Sequence, residues 1–93
     1  MLVRTETLCF MVGEKKYVQF EVISKKNEKV VVTDATYVIT HNGEQFATGQ
    51  CEIVNDNLMQ FLLEMNECGT FDVEVTYTVA PETRKVRCKL NVN

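Results

Sequence analysis

Phe71-Asp72-Val73-Glu74-Val75-Thr76-Tyr77-Thr78-Val79 alternates without a break: Phe71, Val73, Val75, Tyr77 and Val79 fall on one side, and Asp72, Glu74, Thr76 and Thr78 on the other. Successive side chains of an extended strand point to opposite faces, so this run buries one face and wets the other. Downstream, Pro81-Glu82-Thr83-Arg84 reads as a turn, with proline suited to its second turn position. Closing it with Ala80 opposite Lys85 aligns Val79 with Val86, Tyr77 with Cys88, Val75 with Leu90 and Val73 with Val92. Four apolar cross-strand pairs in one register predict a hairpin. On its wet face Asp72 and Glu74 then meet Arg87 and Lys89.

Moving outward, Asn42-Gly43 is the preferred pair for a two-residue hairpin turn, because both positions need positive φ. With His41 opposite Glu44, Ile39 faces Phe46 and Tyr37 faces Thr48. His41 is then a turn-flanking residue; no second histidine exists to build a site with it. Asn55-Asp56-Asn57 marks a further turn that sets Ile53 against Met59 and Cys51 against Phe61, with Glu52 and Gln60 outward. Residues Leu58 to Met65 also fit helical spacing through Leu58, Phe61, Leu62 and Met65; the β context favours a strand over the helix.

Near the N-terminus, Leu8, Phe10 and Val12 alternate up to Gly13-Glu14-Lys15-Lys16, and Val18, Phe20 and Val22 alternate away from it. Pairing Val12 with Val18 predicts a first hairpin with one apolar face. Its nominal outer side would gather Cys9, Met11, Tyr17 and Ile23 into an apolar strip, the candidate interaction surface. Ser24 to Lys29 reads as a polar crossing loop, and Val30-Val31-Val32 is too short a run to show its face.

Ninety-three residues suit one domain, 1–93, able to bury roughly 60–65% of its unfolded surface. About seven short strands separated by turns predict an all-β, immunoglobulin-like antiparallel β-sandwich. Gly69-Thr70-Phe71 stands where such domains turn into their sixth strand, but Phe71 lacks the hydroxyl of the usual corner tyrosine. Tryptophan is absent, and no cysteine falls on the second or sixth strand, which excludes an antibody-type domain.

Net charge is −3, with 10 Lys and Arg against 13 Asp and Glu, which argues against a nucleic-acid partner. No apolar run reaches the ~20 residues of a membrane helix, and the first residues lack signal-peptide character, so a cytoplasmic protein is expected. The four cysteines, Cys9, Cys51, Cys68 and Cys88, lack zinc-site spacing, and reduced thiols are the expectation. Cys51 and Cys88 fall on inward positions, where a thiol acts as a small hydrophobe. The sequence carries no G-x-S-x-G, phosphate loop, H-E-x-x-H or calcium loop. The expectation is therefore a non-enzymatic protein without cofactor or catalytic residues.

The segments Glu6-Thr7-Leu8, Asp34-Ala35-Thr36-Tyr37, Gly49-Gln50-Cys51-Glu52-Ile53, Gly69-Thr70-Phe71 and Glu82-Thr83-Arg84-Lys85-Val86-Arg87 resemble small single-domain proteins of tailed phages and prophages of Gram-positive bacteria. The resemblance spans nearly the whole chain. It implies an immunoglobulin-like accessory or structural part of a virion, binding other virion proteins, itself, or surface polysaccharide. Assembly into a particle would then follow synthesis in the cytoplasm. The alternative is a carbohydrate- or ligand-binding β-sandwich module of a bacterial host. That reading favours aromatic residues clustered in loops at one end, and the loops offer none.

Overall fold

In the computed structural model, residues 2–5, 8–26 and 28–93 are described. Glu6 and Thr7 of the opening motif and Asn27 of the crossing loop lie outside them. Nine strands are formed among the described residues: β1 (Leu2–Thr5), β2 (Cys9–Phe10), β3 (Lys15–Ile23), β4 (Asp34–His41), β5 (Glu44–Gln50), β6 (Glu52–Val54), β7 (Leu58–Glu64), β8 (Gly69–Val79) and β9 (Glu82–Val92). They build a four-stranded sheet ordered β1-β3-β7-β6 and a five-stranded sheet ordered β2-β9-β8-β4-β5. This is the immunoglobulin-like division into two sheets: six further core strands, an added edge strand (β5), and a first strand split between the sheets as β1 and β2.

The core lies between the sheets. From the four-stranded sheet come Val18, Phe20, Val22, Met59, Phe61 and Leu63; from the other come Ile39, Phe71, Val73, Val75, Tyr77 and Leu90, all buried. Burial of each such side chain is worth about 1.5–3 kcal/mol. Alternation along β3, β7 and β8 is therefore the pattern that holds the two layers together. The segment 58–64 is strand, so its helical alternative is discarded. Val32 is buried and Val31 exposed, which settles the face of that short run.

The first hairpin does not form. Val18, Phe20 and Val22 are buried on β3 as the alternation requires, but β3 pairs with β1 and β7, through Val22 with Val3, Val18 with Phe61 and Phe20 with Met59. Residues 8–12 instead run parallel to the end of β9, with Cys9 aligned to Asn91 and Phe10 to Val92. Three backbone bonds hold this edge: the Asn91 amide donates to the Leu8 carbonyl at 3.0 Å, Asn93 to Phe10 at 2.9 Å and Val12 to Asn93 at 2.9 Å. Phe10 is thus still fully buried, delivered from the other sheet, while Val12 is exposed. Alternation fixes which face a residue shows, and leaves open which strand it pairs with.

At the Asn42-Gly43 turn the positive φ values, 53° and 83°, and the pairing of His41 with Glu44 follow expectation. Beyond it a bulge between Ile39 and Thr40 shifts the register, so Ile39 faces Ala47 and Tyr37 faces Gly49. One extra residue at Phe46 locally sharpens the twist, and its ring meets Phe71 edge-on at 4.9 Å. His41 lies over the same Phe71 at 4.3 Å, tilted by 34°. Ile53–Met59 and Glu52–Gln60 pair as anticipated, whereas Cys51 faces the other sheet, its amide donating to the Ala35 carbonyl at 2.9 Å. Cys51 is the point at which the chain leaves one sheet for the other.

The β8–β9 hairpin turns through the two residues Ala80-Pro81, joined by a cis peptide, where a four-residue turn was anticipated, and the register shifts by four. Val75 therefore faces Val86, Val73 faces Cys88 and Phe71 faces Leu90. An even shift leaves every side chain on its own face, which is why the apolar pattern alone permitted both registers. The wet face matches expectation: Lys89 lies 2.5 Å from Asp72, and Arg87 (2.5 Å) and Lys85 (3.5 Å) converge on Glu74. Hydrogen bonding from Arg87 is the main cause holding the Glu74 carboxyl below its ordinary pKa.

Candidate protein interface

Outward positions of β3 and β7 are dictated by the buried ones. With Val18, Phe20 and Val22 inward, Lys15, Tyr17, Gln19, Glu21 and Ile23 face away from the core. Opposite them on β7, Leu58, Gln60, Leu62 and Glu64 do the same. The ladder aligns Lys15 with Glu64, Tyr17 with Leu62, Gln19 with Gln60 and Glu21 with Leu58. Tyr17 is 54% exposed and Leu62 46%, so two large apolar side chains stand directly across from each other on the outside of the sheet. Scattered exposed apolar residues are ordinary, but a cross-strand pair of them on the outside of a sheet is an anchor for contact.

Polar groups frame this pair. The Gln19 side-chain amide donates to Gln60 Oε1 at 2.8 Å, and Gln60 donates to Glu52 Oε1 at 2.5 Å. This chain of amides fixes its members across β3, β7 and β6. Beyond it, Arg4 approaches Glu21 at 3.7 Å. On the other flank stand Lys15 and Glu64, both exposed. Glu64 accepts from the Asn66 amide at 3.3 Å, and Lys15 has no ion pair among the described residues.

Of the four residues expected to form one strip, the structure brings two to this face. Tyr17 stands across from Leu62, beyond the stretches that β1 and β6 pair, and Ile23, half-buried, stands at the other end beside exposed Leu2. Cys9 lies exposed on β2, in the other sheet, and Met11 is 65% exposed in the following loop, where its amide donates to Glu14 Oε1 at 2.5 Å. The single strip is therefore corrected: it presupposed a hairpin whose two arms belong to different sheets. Leu62 is the residue that the sequence reading omitted. Its signal was present, since placing Phe61 inward and Gln60 outward leaves Leu62 outward as well.

All four cysteines are free. Burial pushes the thiols of Cys51 and Cys88 up to about 11, with the Asp34 carboxylate adding to the effect at Cys51. Both remain protonated at neutral pH, as expected of small apolar wall residues. Among the described residues no group of His, Cys, Asp and Glu is arranged to hold a metal ion, and no helix is long and apolar enough to cross a membrane.

No family model matches this chain, and no curated protein does. Solved structures share its fold. An engineered protein from the Northeast Structural Genomics Consortium superposes on 99% of the chain with a TM-score of 0.77 at 15% identity. The endo-β-1,4-mannanase of Thermotoga petrophila superposes on 98% with a TM-score of 0.67 at 11% identity. The chain spans about a fifth of the length of each, 20% and 19%. At these identities the likeness concerns the β-sandwich alone.

Proposed function

We propose that this protein is a non-enzymatic interaction module whose outer four-stranded face binds protein, and that it serves as an immunoglobulin-like accessory part of a phage or prophage particle. One observation carries the reading: Tyr17 and Leu62, opposite each other and about half exposed, form an apolar centre framed by ordered polar side chains. An apolar centre with a polar rim is the anatomy of protein–protein contact. The recurrence of the fold as a fifth of longer chains agrees with a modular role. The phage setting rests on the segment resemblance, and protein synthesis in the cytoplasm would precede assembly.

The test has a genetic and a physical arm. The coding gene should neighbour capsid, portal or tail genes. Tagged protein should also co-sediment with particles of that phage, and the Tyr17→Ala/Leu62→Ala variant should remain in the supernatant. Metabolic neighbours together with absence from particles would end this reading.

A further inference from the structure

We infer that the outer face of the four-stranded sheet pairs with the same face of a second copy, about a two-fold axis parallel to the strands and running between β3 and β7. The inference rests on the reading of that face as the interaction surface. It follows from the ladder itself. Such an axis exchanges β3 for β7 at constant height, so each residue faces its own cross-strand partner from the other copy. Because Lys15 aligns with Glu64, Tyr17 with Leu62 and Gln19 with Gln60, the copies would oppose Lys15 with Glu64, Tyr17 with Leu62 and Gln19 with Gln60, each twice.

Three of the four outward rows are complementary in kind; the fourth would oppose Glu21, which keeps its Arg4 partner, to Leu58. The Lys15 ammonium, without an ion pair among the described residues, gains a carboxylate, the exposed apolar pair is covered by its own counterpart, and amides meet amides. Over the rows from Lys15 to Gln19 the face matches itself under the rotation in charge, apolarity and hydrogen bonding, through a ladder of antiparallel strands. Sheets stacked face to face align within about 30°, which keeps these rows in register over the short central stretch. A face of four strands spaced about 4.8 Å apart is small, so the pair is a weak one that assembles at high concentration.

Charge exchange tests this with the full chain. Sedimentation equilibrium over roughly 10 μM to 1 mM at low salt should show wild-type monomer and dimer. Lys15→Glu places glutamates opposite glutamates, Glu64→Lys places lysines opposite lysines, and each should weaken the dimer about tenfold. An equimolar mixture of the two variants should restore association, because every opposed pair is then Glu with Lys; the Lys15→Glu/Glu64→Lys double variant should recover it alone. Both positions are exposed, and unchanged circular dichroism and Tm would show that the variants fold. A wild type that stays monomeric throughout, single variants that dimerise normally, or a mixture that fails to recover would each overturn the inference. A monomer that still co-sediments with particles would overturn it while leaving the proposed function standing.

Discussion

The ring of Tyr37 on β4 lies flat against the ring of Phe61 on β7, centroids 3.8 Å apart and planes within 9° of parallel. This contact joins the two sheets, and a third residue shapes it. A Cβ added at Gly49, the cross-strand partner of Tyr37, would stand 2.9 Å from Tyr37 Oη and 3.0 Å from its Cε1. Glycine there leaves room for the tyrosine ring to lie across the neighbouring strand while it stacks on Phe61.

Gly49→Ala should therefore destabilise the fold by about 1–3 kcal/mol through overpacking. In a Tyr37→Ala background the same substitution should cost almost nothing, since the colliding ring is gone. Urea unfolding of the four members of this cycle measures the coupling. Phe61→Ala should cost about 3–5 kcal/mol on its own.

Gly43 should respond for a different reason. Nothing lies within 4 Å of an added Cβ, but its φ is +83°. Gly43→Ala then carries a backbone penalty alone, about 1 kcal/mol, read as a lowered urea midpoint with unchanged m.

Thiol chemistry should divide the cysteines two and two. Exposed Cys9 and Cys68 should react at once with a thiol reagent in the native state, and the partly buried, high-pKa Cys51 and Cys88 markedly more slowly. The same burial predicts an alkaline limit. Between the ordinary thiol value of 9.0 and the folded value of about 11, the unfolded chain has released protons that the folded chain retains. Stability from these thiols is complete below pH 9 and falls as pH rises toward 11. Cys51→Ala/Cys88→Ala should flatten that part of the profile; an equally steep decline in the variant would refute the assignment.

Glu74 gives a prediction in the acid range. Its carboxyl is lowered by Arg87 and Lys85, so its contribution is present above the ordinary glutamate value and disappears as pH falls through the folded one. Its partners Arg87 and Lys85 are exposed, so Glu74→Gln should shift Tm only slightly, with a difference that vanishes in high salt.

Legibility of the sequence followed the range of the interactions involved. The Phe71–Val79 alternation, the Asn42-Gly43 turn and the Ile53–Met59 pairing depend on neighbours close in sequence, and they were readable. Leu8 to Val12 was misassigned because its partner, the end of β9, lies some eighty residues away and the local hairpin satisfied the same pattern. Phe46 hid a bulge that no periodicity announces. At the candidate interface Tyr17 and Ile23 were readable as outward residues, whereas uniting Tyr17 with Leu62 required the β3–β7 pairing.

We propose the outer β3–β7 face as the surface through which this protein makes contact. Amide chemical shifts followed from dilute to concentrated protein test it residue by residue. The account predicts concentration-dependent shifts at Lys15, Tyr17, Gln19, Gln60, Leu62 and Glu64, with the outer face of β8 and β9 unmoved. Shifts centred on the β5 edge or on Arg87 and Lys89, with Tyr17 and Leu62 silent, would contradict it.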